Sequence, residues 1–334
     1  MISGFINIDK PPGITSHDVI FRLRRSTKIK RMGHTGTLDP DATGVLPIAI
    51  GSACRLIDYL SKDKVYFAEI LLGLRTNTDD LSGRVLESKE IDISIDRAKI
   101  EKALQNFIGS IQQTPPLYSA VHHNGQRLHH LARLAKHRSA NVSEIANVLS
   151  DVKQRYVQIE KIDVLSTELP IVSLRIACST GTYIRSLARD LGELLGCGAC
   201  LRFLRREKSG LFDISQSTEL NKAQRLIETG KLSQLLVDPQ DMLNFKTIKL
   251  DTEATALILN GRYLDLNTLA DYRNAEGNYL NVDLTIEALQ VNEKVILLCD
   301  QANNCSQIVG LGRVSEQQFI KPEVILLALN ASKS

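Results

Sequence analysis

Asp39 stands between Leu38 and Pro40 in the stretch Gly33-His34-Thr35-Gly36-Thr37-Leu38-Asp39-Pro40-Asp41-Ala42-Thr43-Gly44. Glycine costs backbone entropy in regular structure and proline lacks a donor, so three glycines and a proline in twelve residues predict a tight loop. The proline also biases Asp39 toward extended backbone. A carboxylate held in this way either caps a turn or works as a nucleophile or base, and residue type alone favours the cap. Other chemistries are weaker. Asp39-Pro40-Asp41-Ala42-Thr43 spells the Asp-x-Asp-x-Thr pattern of magnesium-dependent aspartyl-phosphate phosphatases, but those need the first Asp at the end of a hydrophobic strand, and loop precedes it here. Cys197-Gly198-Ala199-Cys200 is a lone C-x-x-C beside an apolar helix end, hence weak for zinc. No Gly-Lys-Ser/Thr follows the glycines as in a phosphate loop, and no Gly-x-Ser-x-Gly elbow is present.

The elements that must position Asp39 follow from periodicity. Val45-Leu46-Pro47-Ile48-Ala49-Ile50 reads as a short buried strand, with Pro47 suggesting an edge or a bulge. Phe5-Ile6-Asn7-Ile8-Asp9 alternates as a strand and stops at Lys10-Pro11-Pro12-Gly13. Thr15 or Ser16 then caps a helix with Val19, Ile20 and Leu23 on its apolar face. Ala53, Leu56, Ile57 and Leu60 predict a short helix, and residues 65–72 a strand with Tyr66 and Ala68 on one face. Thr76-Asn77-Thr78-Asp79-Asp80-Leu81-Ser82-Gly83 reads as a polar loop. Ile100, Leu104 and Phe107 mark another helix, after which Gln113-Thr114-Pro115-Pro116-Leu117-Tyr118-Ser119-Ala120 breaks all periodicity. Strands are predicted over 156–165 and 171–178. A turn at Thr180-Gly181-Thr182 then leads into a helix through Ile184, Leu187, Ala188, Leu191 and Leu195, with Arg185 in its first turn. Residues 202–206 begin a further strand.

At 334 residues the chain has the length for two domains. From about residue 243 it changes to short strand-like pieces punctuated by Gly261, Gly277 and Gly310-Leu311-Gly312, as a small β-barrel would be. No apolar run is long enough to span a membrane, and no signal-peptide pattern opens the chain. The six scattered cysteines read as free thiols, so a cytoplasmic protein is expected. The net charge of +3 is uneven: 33 basic against 26 acidic side chains in residues 1–240, and 8 against 12 in residues 241–334. A mildly basic body of this kind suits a polyanion. Arg22, Arg24, Arg25, Lys28, Lys30 and Arg31 form a run without an acid, either a solvated helix end or a nucleic-acid contact. Residues 122–138 hold five of the seven histidines with Arg127, Arg133, Lys136 and Arg138 but no carboxylate or Cys, which fits a basic, RNA-facing arm better than a metal site, with an ordinary polar helix as the alternative.

Six motifs occur in order: Lys10-Pro11-Pro12-Gly13-Ile14-Thr15-Ser16, the Asp39 loop, Lys64-Val65-Tyr66, Pro115-Pro116-Leu117-Tyr118-Ser119-Ala120, Gly181-Thr182-Tyr183-Ile184-Arg185 and Leu204-Arg205-Arg206. Together, over roughly residues 4–215, the chain closely resembles the bacterial tRNA pseudouridine-55 synthases, the TruB family. The resemblance implies an α+β fold, a mixed and mostly antiparallel central sheet flanked by helices, over residues 1–242. It also implies an RNA-gripping insertion at about 110–155 and a PUA-like RNA-binding barrel over 243–334. The implied activity is isomerisation of uridine 55 in the T loop of tRNA by base flipping, without cofactor or metal. By the same resemblance Asp39 is the catalytic aspartate and Arg185 its cationic partner. Tyr66 stacks on the extracted uracil and assists at C5, while Tyr183 and Leu204 wall the pocket. His34 fills the space left by the flipped nucleotide, and Thr37, Lys10 and Arg205 lie at the substrate. The expected partner is the T arm and elbow of tRNA, with no membrane and no protein partner, so a monomer is expected.

The chain departs from the family pattern in two places. His122 stands where the family commonly has Lys, and the segment from Arg133 to Arg155 is longer than usual and lacks a glycine. The competing readings are a tRNA-refolding protein with catalysis secondary, the magnesium phosphatase, and a guide-RNA-dependent homologue, against which stands the lack of a Lys-rich tail.

Overall fold

The computed structural model describes residues 2–116, 118, 154–265, 289–300, 306–317 and 319–326, together with the backbone of 122–123 and 126–127. Its strands in chain order begin with β1 (Gly4–Lys10), β2 (Met32–His34), β3 (Thr43–Ile50), β4 (Lys64–Leu72), β5 (Leu74–Thr76), β6 (Val85–Ser88) and β7 (Gly109–Gln113). Next come β8 (His122–His123), β9 (Gln126–Arg127), β10 (Arg155–Glu168), β11 (Ile171–Cys178), β12 (Ala199–Ser209), β13 (Phe212–Asp213), β14 (Thr218–Glu219) and β15 (Leu236–Val237). Eleven of these form one sheet with the path β14-β1-β3-β12-β4-β11-β10-β7, in which β2 flanks β3, β13 flanks β12 and β15 flanks β1. Every pairing is antiparallel except β1 with β14 and β12 with β3. The mixed, mostly antiparallel sheet expected from the sequence is what forms.

Helix α1 (Ser16–Thr27) starts on a capping box in which the Thr15 hydroxyl accepts from the Asp18 amide and the Asp18 carboxylate accepts from the Thr15 amide. It buries the predicted Val19, Ile20 and Leu23 in the main core. Helix α2 (Arg97–Leu104) buries Ile100, Ala103 and Leu104. Helix α3 (Ile184–Leu195) ends at Gly196, whose φ of 77° is a left-handed cap. Helix α4 (Leu220–Glu228) buries Leu220, Ala223 and Ile227. The predicted helix around Ala53–Leu60 is a 3-10 helix, Gly51–Tyr59.

Pro47 does not put β3 at the sheet edge. β1 pairs along its whole length, while on the other side β12 covers only Thr43 and Gly44 and β2 only Ile48–Ile50. The Pro47 carbonyl accepts from Thr35 N on that side, so its missing donor faces the gap between the two short pairings. An interior strand thus tolerates proline.

The second sheet comprises β16 (Lys246–Leu250), β17 (Leu264–Asp265), β18 (Lys294–Asp300), β19 (Ser306–Val314) and β20 (Phe319–Ile325), in the order β16-β18-β19-β20-β17. With helix α5 (Thr252–Leu259) it is consistent with a PUA-like unit, although the described strands form an open sheet with β16 and β17 at its edges where a small barrel was expected. Among the described residues no helix is long and apolar enough to cross a membrane.

Candidate active site

Asp39 sits at the apex of the β2–β3 loop, and the loop is tied down on three sides. The Ser16 hydroxyl accepts from Leu38 N at 2.9 Å and donates to Leu38 O at 3.2 Å, fixing a leucine that is 3% exposed. Behind Asp39, the Pro40 carbonyl accepts from Gly13 N at 3.0 Å and from the Lys10 ammonium at 2.7 Å. In front of it, Arg206 reaches the Gly36 carbonyl at 3.0 Å and the Thr37 carbonyl at 3.5 Å, while its Nε donates to Val45 O at 2.7 Å. The resulting loop holds its carboxylate before substrate arrives, as a preorganised site requires. Gly44, just beyond, is needed for the protein's own packing. Its φ is +100°, and a Cβ there would lie 2.2 Å from the Arg206 carbonyl where β3 meets β12.

Arg185, in the first turn of α3, is 5% exposed. Its Nη2 donates to Asp39 Oδ1 at 3.0 Å. Its Nε lies 2.9 Å from Oδ2, an ion-pair contact too bent for a hydrogen bond. The same guanidinium donates to Thr78 O at 3.3 Å and Tyr118 O at 3.0 Å, and approaches Asp80 Oδ2 at 3.6 Å. Burial pushes the Asp39 pKa up, Arg185 pulls it down and Asp80 pushes it up again. Water in the cleft still reaches 41% of the Asp39 side chain, which moderates the push from burial until a ligand fills the space.

The cleft above this pair has a volume of about 590 Å³ and is lined by Asp39, Asp80, Leu81, Tyr118, Arg185 and Leu204, among others. Concavity, an apolar wall and a few convergent charges are the marks of a small-molecule or nucleoside site. Leu204 lies where a pocket wall was expected. Tyr183 is the N-cap residue of α3, and its backbone exchanges two hydrogen bonds with the Gln113 side chain at 2.8 and 3.0 Å. His34 closes β2, opposite Ile48, and Thr37 is exposed on the loop. Burial, then Arg206, lowers the His34 pKa, so its imidazole is neutral at neutral pH.

Three expected site residues are placed differently. Lys10 is fully buried, and its ammonium donates to the carbonyls of Pro11, Ile14 and Pro40, which engages all three protons. Burial lowers its pKa to about 8 against the pull of Asp41 and Asp39. It therefore supports the loop and does not line the cleft. Arg205 is paired with Asp9 at 2.7 Å and with the Thr43 hydroxyl at 3.3 Å, outside the cleft lining. Tyr66 is 9% exposed, belongs to the main core and does not line the cleft of the free chain. Burial raises the pKa of its phenol, against the pull of the nearby Arg206 charge, so the phenol is protonated at neutral pH.

Sequence reasoning missed the loop 76–83 as part of the site. Thr78 and Asp80 touch Arg185, and Asp79 pairs with Arg189 of α3 at 3.0 Å. The histidine cluster (side chains of 122, 123, 129, 130 and 137), Leu117, Ser119, Ala120 and the arm through residue 153 lie outside the described residues; only the short β8–β9 pairing is described there. Among the described residues no three His, Cys, Asp or Glu side chains are grouped to hold a metal ion, and Cys197 and Cys200 are buried free thiols.

Residues 24–184 match the model of the TruB family pseudouridylate synthase N-terminal domain, and residues 185–243 that of the tRNA pseudouridylate synthase B C-terminal domain. The chain is similar to the tRNA pseudouridine synthase B of Gloeobacter violaceus, 46% identical over 72% of this chain and 79% of that one. It is 42% identical to the protein of the same name from Clostridioides difficile, over 78% and 83%. Its fold is shared with a chain of an H/ACA RNP bound to a substrate RNA containing 2'-deoxyuridine, at a TM-score of 0.65 and 22% identity over 98% of this chain and 86% of that one.

Proposed function

The chain belongs to the TruB family of pseudouridine synthases, and from that premise we propose that it acts on tRNA, converting uridine 55 of the T loop to pseudouridine. The reaction is an isomerisation. The bond from ribose C1′ to N1 breaks, the uracil turns, a bond from C1′ to C5 forms, the C5 proton leaves and N1 gains one. Nothing is oxidised or hydrolysed, so the demands on the protein are a reachable base, an ionised carboxylate and a fixed charge partner.

The observation that carries this reading is the Asp39–Arg185 pair at the edge of a cleft of nucleoside size. A uridine inside a structured T loop reaches such a cleft only by flipping out, which costs a few kcal/mol of stacking. In this reading the neutral His34 imidazole enters the gap and offsets part of that cost. Leu204 contacts the flipped base, while Arg185 keeps Asp39 ionised as the cleft dries and stabilises charge developing beside it. Lys10, Ser16 and Arg206 hold the loop so that Asp39 needs little reorganisation. The cationic run 22–31 supplies phosphate contacts, which add affinity without sequence discrimination.

The test is release of the C5 hydrogen from labelled uridine in an unmodified tRNA transcript, with chelator present. Release from position 55 that disappears with Asp39→Asn is expected. Absence of release under conditions where the tRNA binds would defeat the proposal, and release that survives the chelator excludes the magnesium-phosphatase reading.

A further inference from the structure

A second cavity, of about 200 Å³, shares no lining residue with the Asp39 cleft. Its wall includes Thr35, Lys64, Thr180, Ser209 and Phe212. Lys64 opens β4 and Ser209 closes β12, and the two are register partners. The Lys64 ammonium donates to Ser209 Oγ at 2.7 Å and is 6% exposed, and among the described residues no carboxylate lies within ion-pair distance of it. A buried ammonium without an anion is costly. Burial, helped by the nearby Arg206 charge and opposed by Asp63, lowers its pKa to about 8. Thr35 Oγ1 is also buried without a partner, and Thr180 is exposed at the mouth. Asp58 and Lys62, both exposed on the rim, offset each other in charge.

One ammonium and three hydroxyls around a small cavity are donors for a compact oxyanion. We infer that this cavity is a phosphate subsite in which Lys64, Thr35 and Ser209 take one backbone phosphate of the RNA beside the flipped nucleotide. The inference rests on the reading that His34 enters the RNA, because Thr35, which lines the cavity, follows His34 directly in the chain. The occupied subsite would give Lys64 the anion that the free chain lacks, and would fix the strand next to the extruded base without reading sequence.

The test is the salt dependence of T-arm stem-loop binding by the full chain. Each phosphate contact contributes about 0.7–0.9 to the slope of log affinity against log salt. Lys64→Met should weaken binding about tenfold at 0.1 M salt and reduce the slope by that increment, with circular dichroism unchanged. Stem-loops carrying single uncharged methylphosphonate linkages should include one, next to the flipped position, that weakens the unaltered chain and leaves K64M indifferent. If K64M does not fold, the linkage scan on the unaltered chain and on Thr35→Val decides the matter. An unchanged slope, with no linkage distinguishing variant from unaltered chain, overturns the subsite alone. Failure of the unaltered chain to bind the stem-loop overturns the functional reading and the subsite with it. A rise in melting temperature with inorganic phosphate, lost in K64M but accompanied by an unchanged RNA slope, would assign the cavity to a free anion and overturn the RNA assignment.

Discussion

Burial and the Asp80 carboxylate both oppose ionisation of Asp39, while Arg185 favours it. In the proposed reaction the ionised carboxylate is the working form, so kcat/KM should fall as pH is lowered through this pKa, and the limb should lie above the ordinary carboxylate range. Asp80→Asn removes one of the opposing charges, so its limb should move to lower pH, although Arg185 loses a 3.6 Å neighbour and turnover drops modestly. A pH–rate profile checks this, and a limb displaced upward in D80N would refute the charge assignment. Arg185→Lys should be far more damaging, by about 100-fold in kcat, because an ammonium keeps the charge but cannot bridge both oxygens while also reaching Thr78 O and Tyr118 O. Single-turnover rates would show it, and near-normal rates would remove Arg185 from its proposed role. At this scale the motifs named two residues that the fold brings together, Asp39 and Arg185, and three, Lys10, Tyr66 and Arg205, that lie outside the cleft lining. The burial of Lys10 on three carbonyls was not legible, because lysine is rarely buried and no local pattern marks the exception.

Helix α3 does more than present Arg185. Its N-cap backbone pairs with Gln113, and Ser186 and Arg189 both donate to Thr114 O, at 2.8 and 3.2 Å. Arg189 also pairs with Asp79 at 3.0 Å, with both side chains mostly buried. One helix therefore fixes the Arg185 guanidinium, the loop that supplies Thr78 and Asp80, and the backbone at Gln113 and Thr114. Arg189→Met should cost about 3 kcal/mol by stranding the Asp79 carboxylate, whereas the double variant Asp79→Asn with Arg189→Met should recover part of that loss. Thermal unfolding of the two singles and the double measures the coupling, and strict additivity would count against it. Periodicity located this helix and the strand before it, because apolar spacing is a local signal. The role of the 76–83 loop was not legible. Thr, Asn, Asp, Ser and Gly in succession are what any turn displays, and its contact with Arg189 spans 110 positions.

At the scale of the whole molecule, the run Val295-Ile296-Leu297-Leu298 in β18 shows how the two sheets are joined. All four side chains are buried. Val295 and Leu297 pack in the second sheet's own core with Ile248, Ile258 and Val309, whereas Ile296 and Leu298 join Phe5, Val45, Ala49 and Leu56 of the first sheet and its 3-10 helix. Alternation along the strand thus assigns successive residues to two cores, and a strand buried on both faces reads in sequence as an unbroken apolar run. Arg55 donating to the Ile325 carbonyl at 2.5 Å and Lys294 lying 4.6 Å from the Tyr59 ring centre add polar ties around the same junction. The change of composition near residue 243 predicts a second unit, but it could not show that this unit packs on the first, since contacts between distant segments leave no periodic trace. The packing makes a specific prediction. Ile296→Ala and Leu297→Ala, adjacent and chemically similar, should each cost about 2–4 kcal/mol, and the unaltered chain should melt in one transition. Ile296→Asp places an unpaired charge in the shared cluster and should split the melt in two, whereas Leu297→Asp should abolish the second sheet's own transition. Calorimetry distinguishes these outcomes, and two resolved transitions in the unaltered chain would show that the shared cluster does not couple the sheets.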